Sequence, residues 1–122
     1  MAIGDFESDA EIHLSALRAA QEIVISPVNV AKVGLMLFGR RRLENVRDLE
    51  RWLAKLTIYV AEMVDYRDVL EAHARFGRGN HRAKLNLGDC FAYALAKQLD
   101  APLLYKGGGF ARTDIRSALQ PT

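Results

Sequence analysis

Leu85–Lys97 reads LNLGDCFAYALAK, and Pro102–Gly107 follows it as PLLYKG. Asn86 offers a side-chain oxygen that can cap a helix. Asp89 stands three residues on, where a carboxylate reaches back to the cap and meets the helix dipole. The segment beyond is apolar up to Leu99 with few interruptions, so the pattern predicts a helix over LGDCFAYALAKQL. Leu103–Lys106 is short and apolar and predicts a strand. A helix that returns the chain to a short buried strand is the repeating unit of a parallel sheet.

The same alternation extends upstream. EIVIS, Glu22–Ser26, is β-branched and too brief for a helix, so it predicts a strand. Pro27 suits a first helical turn, and Val30, Val33, Leu37 and Phe38 recur at helical spacing before Gly39. Asn45 and Asp48 open another helix with Leu49, Trp52, Leu53 and Leu56 as its inner stripe. TIYVAEM, Thr57–Met63, alternates with period two, and Asp65 then opens a helix that ends at Phe76 before Gly77. At the amino end, Ser8 with Glu11 forms a capping box ahead of Ile12, Ala16, Leu17 and Ala20. The expectation is one α/β domain over 1–122 with a small, mostly parallel sheet, and a chain that begins with a helix rather than a strand.

Composition narrows the class. Of 122 residues, 50% are hydrophobic and 26% charged, as in an ordinary soluble domain. The net charge of +2 is too small to argue for nucleic acid by itself, so local clusters of charge must carry that argument. The single cysteine, Cys90, excludes an internal disulfide and fits a reducing, cytoplasmic compartment as a buried structural thiol. No apolar run approaches the ~20 residues of a membrane span, so no membrane role is expected.

LNLGDCFAYALAK, PLLYKG and FARTDI, together with ISPVNVAKVGL (Ile25–Leu35) and RFGRGNHRAKLN (Arg75–Asn86), resemble a PIN domain, and more narrowly the VapC-type toxins of bacterial toxin–antitoxin pairs. The resemblance implies a three-layer α/β/α fold and metal-dependent endoribonuclease activity. It also implies a cognate antitoxin as partner, RNA as substrate and a homodimer. It implies Mg²⁺ or Mn²⁺ held by clustered acids, since such ions take hard oxygen ligands and activate water on a phosphate.

Set against that pattern, the acids thin out. Asp89 matches the third acid, as a catalytic and metal-ligating residue. Lys32 stands where a glutamate is expected, three residues after the Asn of SPVN. Gly108 falls in KGGGF, where the resemblance implies an acid after Lys-Gly. The strand bearing the first acid is expected to be absent. Asp114, in RTDI, is read either as a weak supporting metal carboxylate or as a turn or capping acid.

Lys32 is expected to pair with Asp89 and fill the metal's place, or else to snorkel to solvent. Arg75, Arg78, His81, Arg82 and Lys84 form a basic cluster between two helices, read as an RNA-phosphate groove or as a solvated loop. Arg40–Arg42 reads as a charge run at a helix end, and His13 and His73 have no ligand-spaced partners. Three functions stay open: an active ribonuclease using Asp89, Asp114 and Asp5; a non-catalytic RNA- or antitoxin-binding module; and a truncated relic. The reading favours a VapC-type protein in which catalysis is degenerate.

Overall fold

The computed structural model describes residues 2–3, 22–105 and 108–118. Four parallel strands make the sheet: β1 (Ala2–Ile3), β2 (Ile23–Ile25), β3 (Ile58–Val60) and β4 (Leu103–Leu104), in spatial order β3-β2-β1-β4. Between them run α1 (Pro27–Gly39), α2 (Val46–Lys55), α3 (Tyr66–Phe76) and α4 (Leu87–Leu99), with a short α5 (Gly108–Ala111) after β4.

Side chains alternate across these strands, and the alternation sorts the core into two halves. Ile3, Ile23, Ile25, Ile58 and Leu104 meet Val33 of α1 and Leu49 and Leu53 of α2. Val24 and Leu103 face the other way, onto Val69, Ala72 and Phe76 of α3 and Cys90 to Ala96 of α4. Helices therefore cover both faces, and the three-layer α/β/α architecture holds.

The helix boundaries follow the caps read from the sequence. Asn45 Oδ1 accepts from the Asp48 N–H at 3.0 Å, Asp65 caps α3, and α3 ends at Phe76 before Gly77. The strands are shorter than expected. Thr57 takes a left-handed φ of 56° and stays outside β3, which spans only three residues of the predicted seven. At this sheet edge only Ile58 is buried; Tyr59 and Val60 remain exposed.

The amino end requires a correction. A sheet without its first strand was expected, yet Ala2–Ile3 lies between β2 and β4 and pairs in parallel with both, Ala2 opposite Val24 and Leu103, Ile3 opposite Ile25 and Leu104. Two residues are too few to show any alternation in sequence. What holds them is burial, since Ile3 is fully enclosed, worth about 1.5–3 kcal/mol for such a side chain. The pair of open central edges that a missing strand would leave is thereby closed. The helix predicted after Ser8 lies outside the described residues.

One polar contact crosses between the layers. Ser26 caps α1, its Oγ accepting from the Asn29 N–H at 3.1 Å and donating to Asn29 Oδ1. Asn29 Nδ2 then donates to the Gly88 carbonyl of α4 at 3.0 Å. Ser26 and Asn29 are 0% and 2% exposed, so water does not readily replace this tie. Asn29→Ala is expected to lower unfolding free energy in urea by about 1–3 kcal/mol, with exposed Ala31→Ser as control. Equal stability of the two variants would show that the tie contributes nothing.

Candidate nucleic-acid site at the carboxyl edge of the sheet

Because the strands are parallel, the segments that follow them gather at one edge. The chain leaves β2 at Ile25, turns at Ser26 and enters α1, and the Asn29–Gly88 hydrogen bond draws the first turn of α4 to the same place. Lys32, one turn further along α1, and Asp89, one residue after Gly88, are thus brought to one corner.

Asp89 sits third in α4 and closes a capping box. Its Oδ2 accepts from the Asn86 N–H at 3.0 Å, and its own N–H donates to Asn86 Oδ1 at 2.9 Å. The carboxylate is turned back toward its own helix start. Lys32 lies across the neighbouring residue: a Cβ on Gly88 would come within 2.8 Å of Lys32 Nζ and 2.9 Å of its Cδ. In this conformation the lysine side chain runs over Gly88, and a side chain at 88 would push its flexible end aside.

The expected Lys32–Asp89 ion pair is not formed among the described residues, and this corrects the first of the two Lys32 readings. The physical reason is the cap, which orients the Asp89 carboxylate toward Asn86, while Lys32 is laid over Gly88. Lys32 is exposed, with the end of its side chain passing close to Gly88.

These residues fit a divalent cation poorly. Among the described residues no group of three or more Asp, Glu, His or Cys converges. An ammonium about 5 Å from a divalent cation opposes it by roughly 7 kcal/mol at an effective dielectric of about 20. Asp5, a member of the alternative acid set, lies outside the described residues.

Gly108 begins α5, and both Gly108 and Gly109 are helical. Close packing accounts for Gly109, where a Cβ would stand 3.0 Å from the Ala83 carbonyl.

Asp114 is occupied elsewhere. Tyr93 Oη donates to its Oδ1, Lys97 Nζ lies 3.0 Å from Oδ2, and Arg75 Nη2 lies 3.7 Å from Oδ2. Partial burial works against its charge, but the Tyr93 and Lys97 hydrogen bonds and the Lys97 and Arg75 charges outweigh it, holding the carboxyl below its usual range. Burial first, then the bond to Asp114, pushes the Tyr93 hydroxyl well above an ordinary tyrosine. Tyr93 and Lys97 follow Asp89 by four and eight positions, about 6 and 12 Å along the helix at ~1.5 Å per residue. Asp114 therefore braces α4 against α3, one to two turns from Asp89.

The basic cluster divides in two. Arg75 stacks over Phe76 at 4.9 Å besides reaching Asp114. His81 is a loop staple, its Nδ1 accepting from the Ala83 N–H at 3.0 Å and its ring edge-on to Phe76 at 5.1 Å. Gly77 and Leu85 bridge the base of the loop, with the Leu85 N–H donating to Phe76 O and the Arg78 N–H to Leu85 O, both at 3.0 Å. Arg78, Arg82 and Lys84 are exposed on this closed loop, which runs directly into the cap of α4.

Asn29 and Gly88, the pair that assembles the corner, were not assigned roles from sequence. SPVN carried a legible signal, a Ser three residues before an Asn at a helix start. Nothing in a single sequence marks Gly88. Cys90 is fully buried, and burial, then the neighbouring Asp89 charge, pushes its thiol up to about 11, as a structural thiol requires.

The PIN domain family profile matches residues 2–116. Ribonuclease VapC30 of Mycobacterium tuberculosis is 38% identical over 117 residues, covering 94% of this chain and 89% of that protein. Ribonuclease VapC42 of the same species is 38% identical over 122 residues, covering 97% and 92%. A ribonuclease VapC of Mycolicibacterium smegmatis is 37% identical over 111 residues, covering 89% and 86%.

The Asp114 brace has a pH signature. A carboxyl held below its unfolded value of 3.8 stabilises the fold above that pH and loses the contribution as pH falls through its lower, folded value. Asp114→Asn is expected to cost under about 1 kcal/mol at neutral pH, because the side chain is 44% exposed. That difference is expected to shrink below pH 3.8 in urea unfolding; a gap that widens on acidification would contradict the brace.

Proposed function

The chain belongs to the PIN domain family as a VapC-type toxin, and from that membership together with the Lys32 geometry we propose an RNA-directed toxin-family protein whose own ribonuclease chemistry is impaired. PIN-domain VapC nucleases are generally metal-dependent. When bound, a divalent cation supplies an activated water and offsets charge on the phosphate. Asp89 is the residue of this chain best placed for that task.

The observation that carries the reading is the lysine stem seated over Gly88 beside Asp89. A lysine stands at the position where the resemblance implies a carboxylate, and Asp89 accepts from the Asn86 N–H in its capping box. Gly108, without a carboxylate, subtracts a second implied ligand. The proposal retains RNA as the bound species, through Arg78, Arg82 and Lys84, and gives Arg75 and His81 structural parts in holding the loop. An antitoxin as partner follows from the family. A homodimer is also proposed, supported by large exposed apolar residues such as Met63 at 74% and Tyr66 at 69%, which a second chain would cover. A cytoplasmic location accords with the buried thiol of Cys90 and with the absence, among the described residues, of a helix long and apolar enough to cross a membrane.

The test is cleavage of a labelled transfer RNA mixture by the purified chain with Mg²⁺ or Mn²⁺, with and without EDTA. No EDTA-sensitive product above background is expected. Cleavage that EDTA stops and Asp89→Ala abolishes would refute the proposal.

A further inference from the structure

The poor fit of this corner to a divalent cation has a positive counterpart. We infer that Lys32 turns the corner into a phosphate seat, so that the chain engages RNA without any divalent metal, the lysine ammonium standing in for the cation. The inference deepens the RNA reading above and rests on it.

Three observations converge. First, Lys32 lies at the helix start: its side chain from Cδ to Nζ runs over Gly88, in space that a larger residue there would take. Second, the ammonium is exposed and forms no ion pair with a described residue, so its charge is available to a ligand. Third, a second cation stands close to the same helix start along the chain. Lys84 is exposed two residues before the Asn86 cap, at the end of the loop that also bears Arg78 and Arg82. The nearby carboxylate, Asp89, accepts from the Asn86 N–H. Among the described residues, the two lysine charges outnumber that carboxylate, a balance that favours an anion over a metal ion.

The ligand this chemistry selects is a backbone phosphate of single-stranded RNA. A lysine contacts phosphate as a point charge, indifferent to base, and releases a counterion on doing so. The basic loop extends the same electrostatic track away from α4.

Fluorescence anisotropy with a fluorescein-labelled single-stranded RNA of mixed sequence tests the inference, using the whole chain at matched ionic strength in EDTA or in MgCl₂. Wild-type affinity is expected to be the same in both. Lys32→Ala is expected to weaken binding roughly five-fold at about 0.1 M salt and to flatten the plot of log affinity against log salt by about 0.7, one phosphate contact. Lys55→Ala is the control. Lys55 ends α2 just before β3 begins, at the opposite edge of the parallel sheet, and its loss is expected to change affinity by less than the Lys32 variant. Thermal unfolding midpoints of all variants check that each folds.

Binding that collapses in EDTA would overturn the inference, as would Lys32→Ala indistinguishable from wild type. Failure of the broader reading shows differently, as EDTA-sensitive RNA cleavage, which this assay does not measure and the Lys32 comparison does not depend on.

Discussion

A single buried hydrogen bond, from Asn29 Nδ2 to the Gly88 carbonyl, joins the first turns of two helices that stand 59 residues apart in the chain. It brings residues 29–32 of α1 and the start of α4 to one corner at the carboxyl edge of the sheet. Asn29 is itself fixed by Ser26, so the register of α1 relative to β2 passes directly to α4. With α1 so registered, residue 32 falls one turn on and crosses residue 88. A buried amide of this kind contributes modestly as a bond but heavily as a constraint, because its partners have no water to turn to.

Much of this architecture was legible from residue order alone. The caps at Asn45, Asp65 and Asn86 were visible because each pairs a short polar acceptor with a following apolar helix, and all three are caps in the structure. The strands were visible as β-branched runs, but their lengths were not, since pairing at an edge depends on neighbours that sequence does not name. Ala2–Ile3 was invisible for a similar reason: two apolar residues carry no period, and their place between β2 and β4 is a tertiary fact.

The site was legible as an inventory but not as geometry. Lys32, Asp89 and the basic loop were all singled out, and the expected salt bridge between the first two was the natural guess from their charges. It failed because a local bond won. The Asn86 N–H reaches the Asp89 carboxylate within its own helical turn, with almost no loop entropy to overcome, whereas Lys32 must arrive from another helix. His81 and Asp114 are also taken up within the fold. His81 is held by the Ala83 amide and Phe76 nearby in the chain, whereas Asp114 is held by Tyr93 and Lys97, which come from α4.

Two electrostatic centres therefore lie along α4, and they are separable. One, at the helix start, combines Asp89 with Lys32 and Lys84. The other, one to two turns on, locks Asp114 to Tyr93, Lys97 and Arg75 and ties α3 to α4. The second adds a modest tie between α3 and α4, whereas the first keeps its shape through the capping box, which needs no metal to hold it. A protein built this way can exchange the charge at residue 32 without disturbing its core, because the orientation of Asp89 comes from Asn86 and not from a bound ion. That independence lets a chain of this family keep an ordered corner with a lysine at residue 32, where the resemblance implies a glutamate.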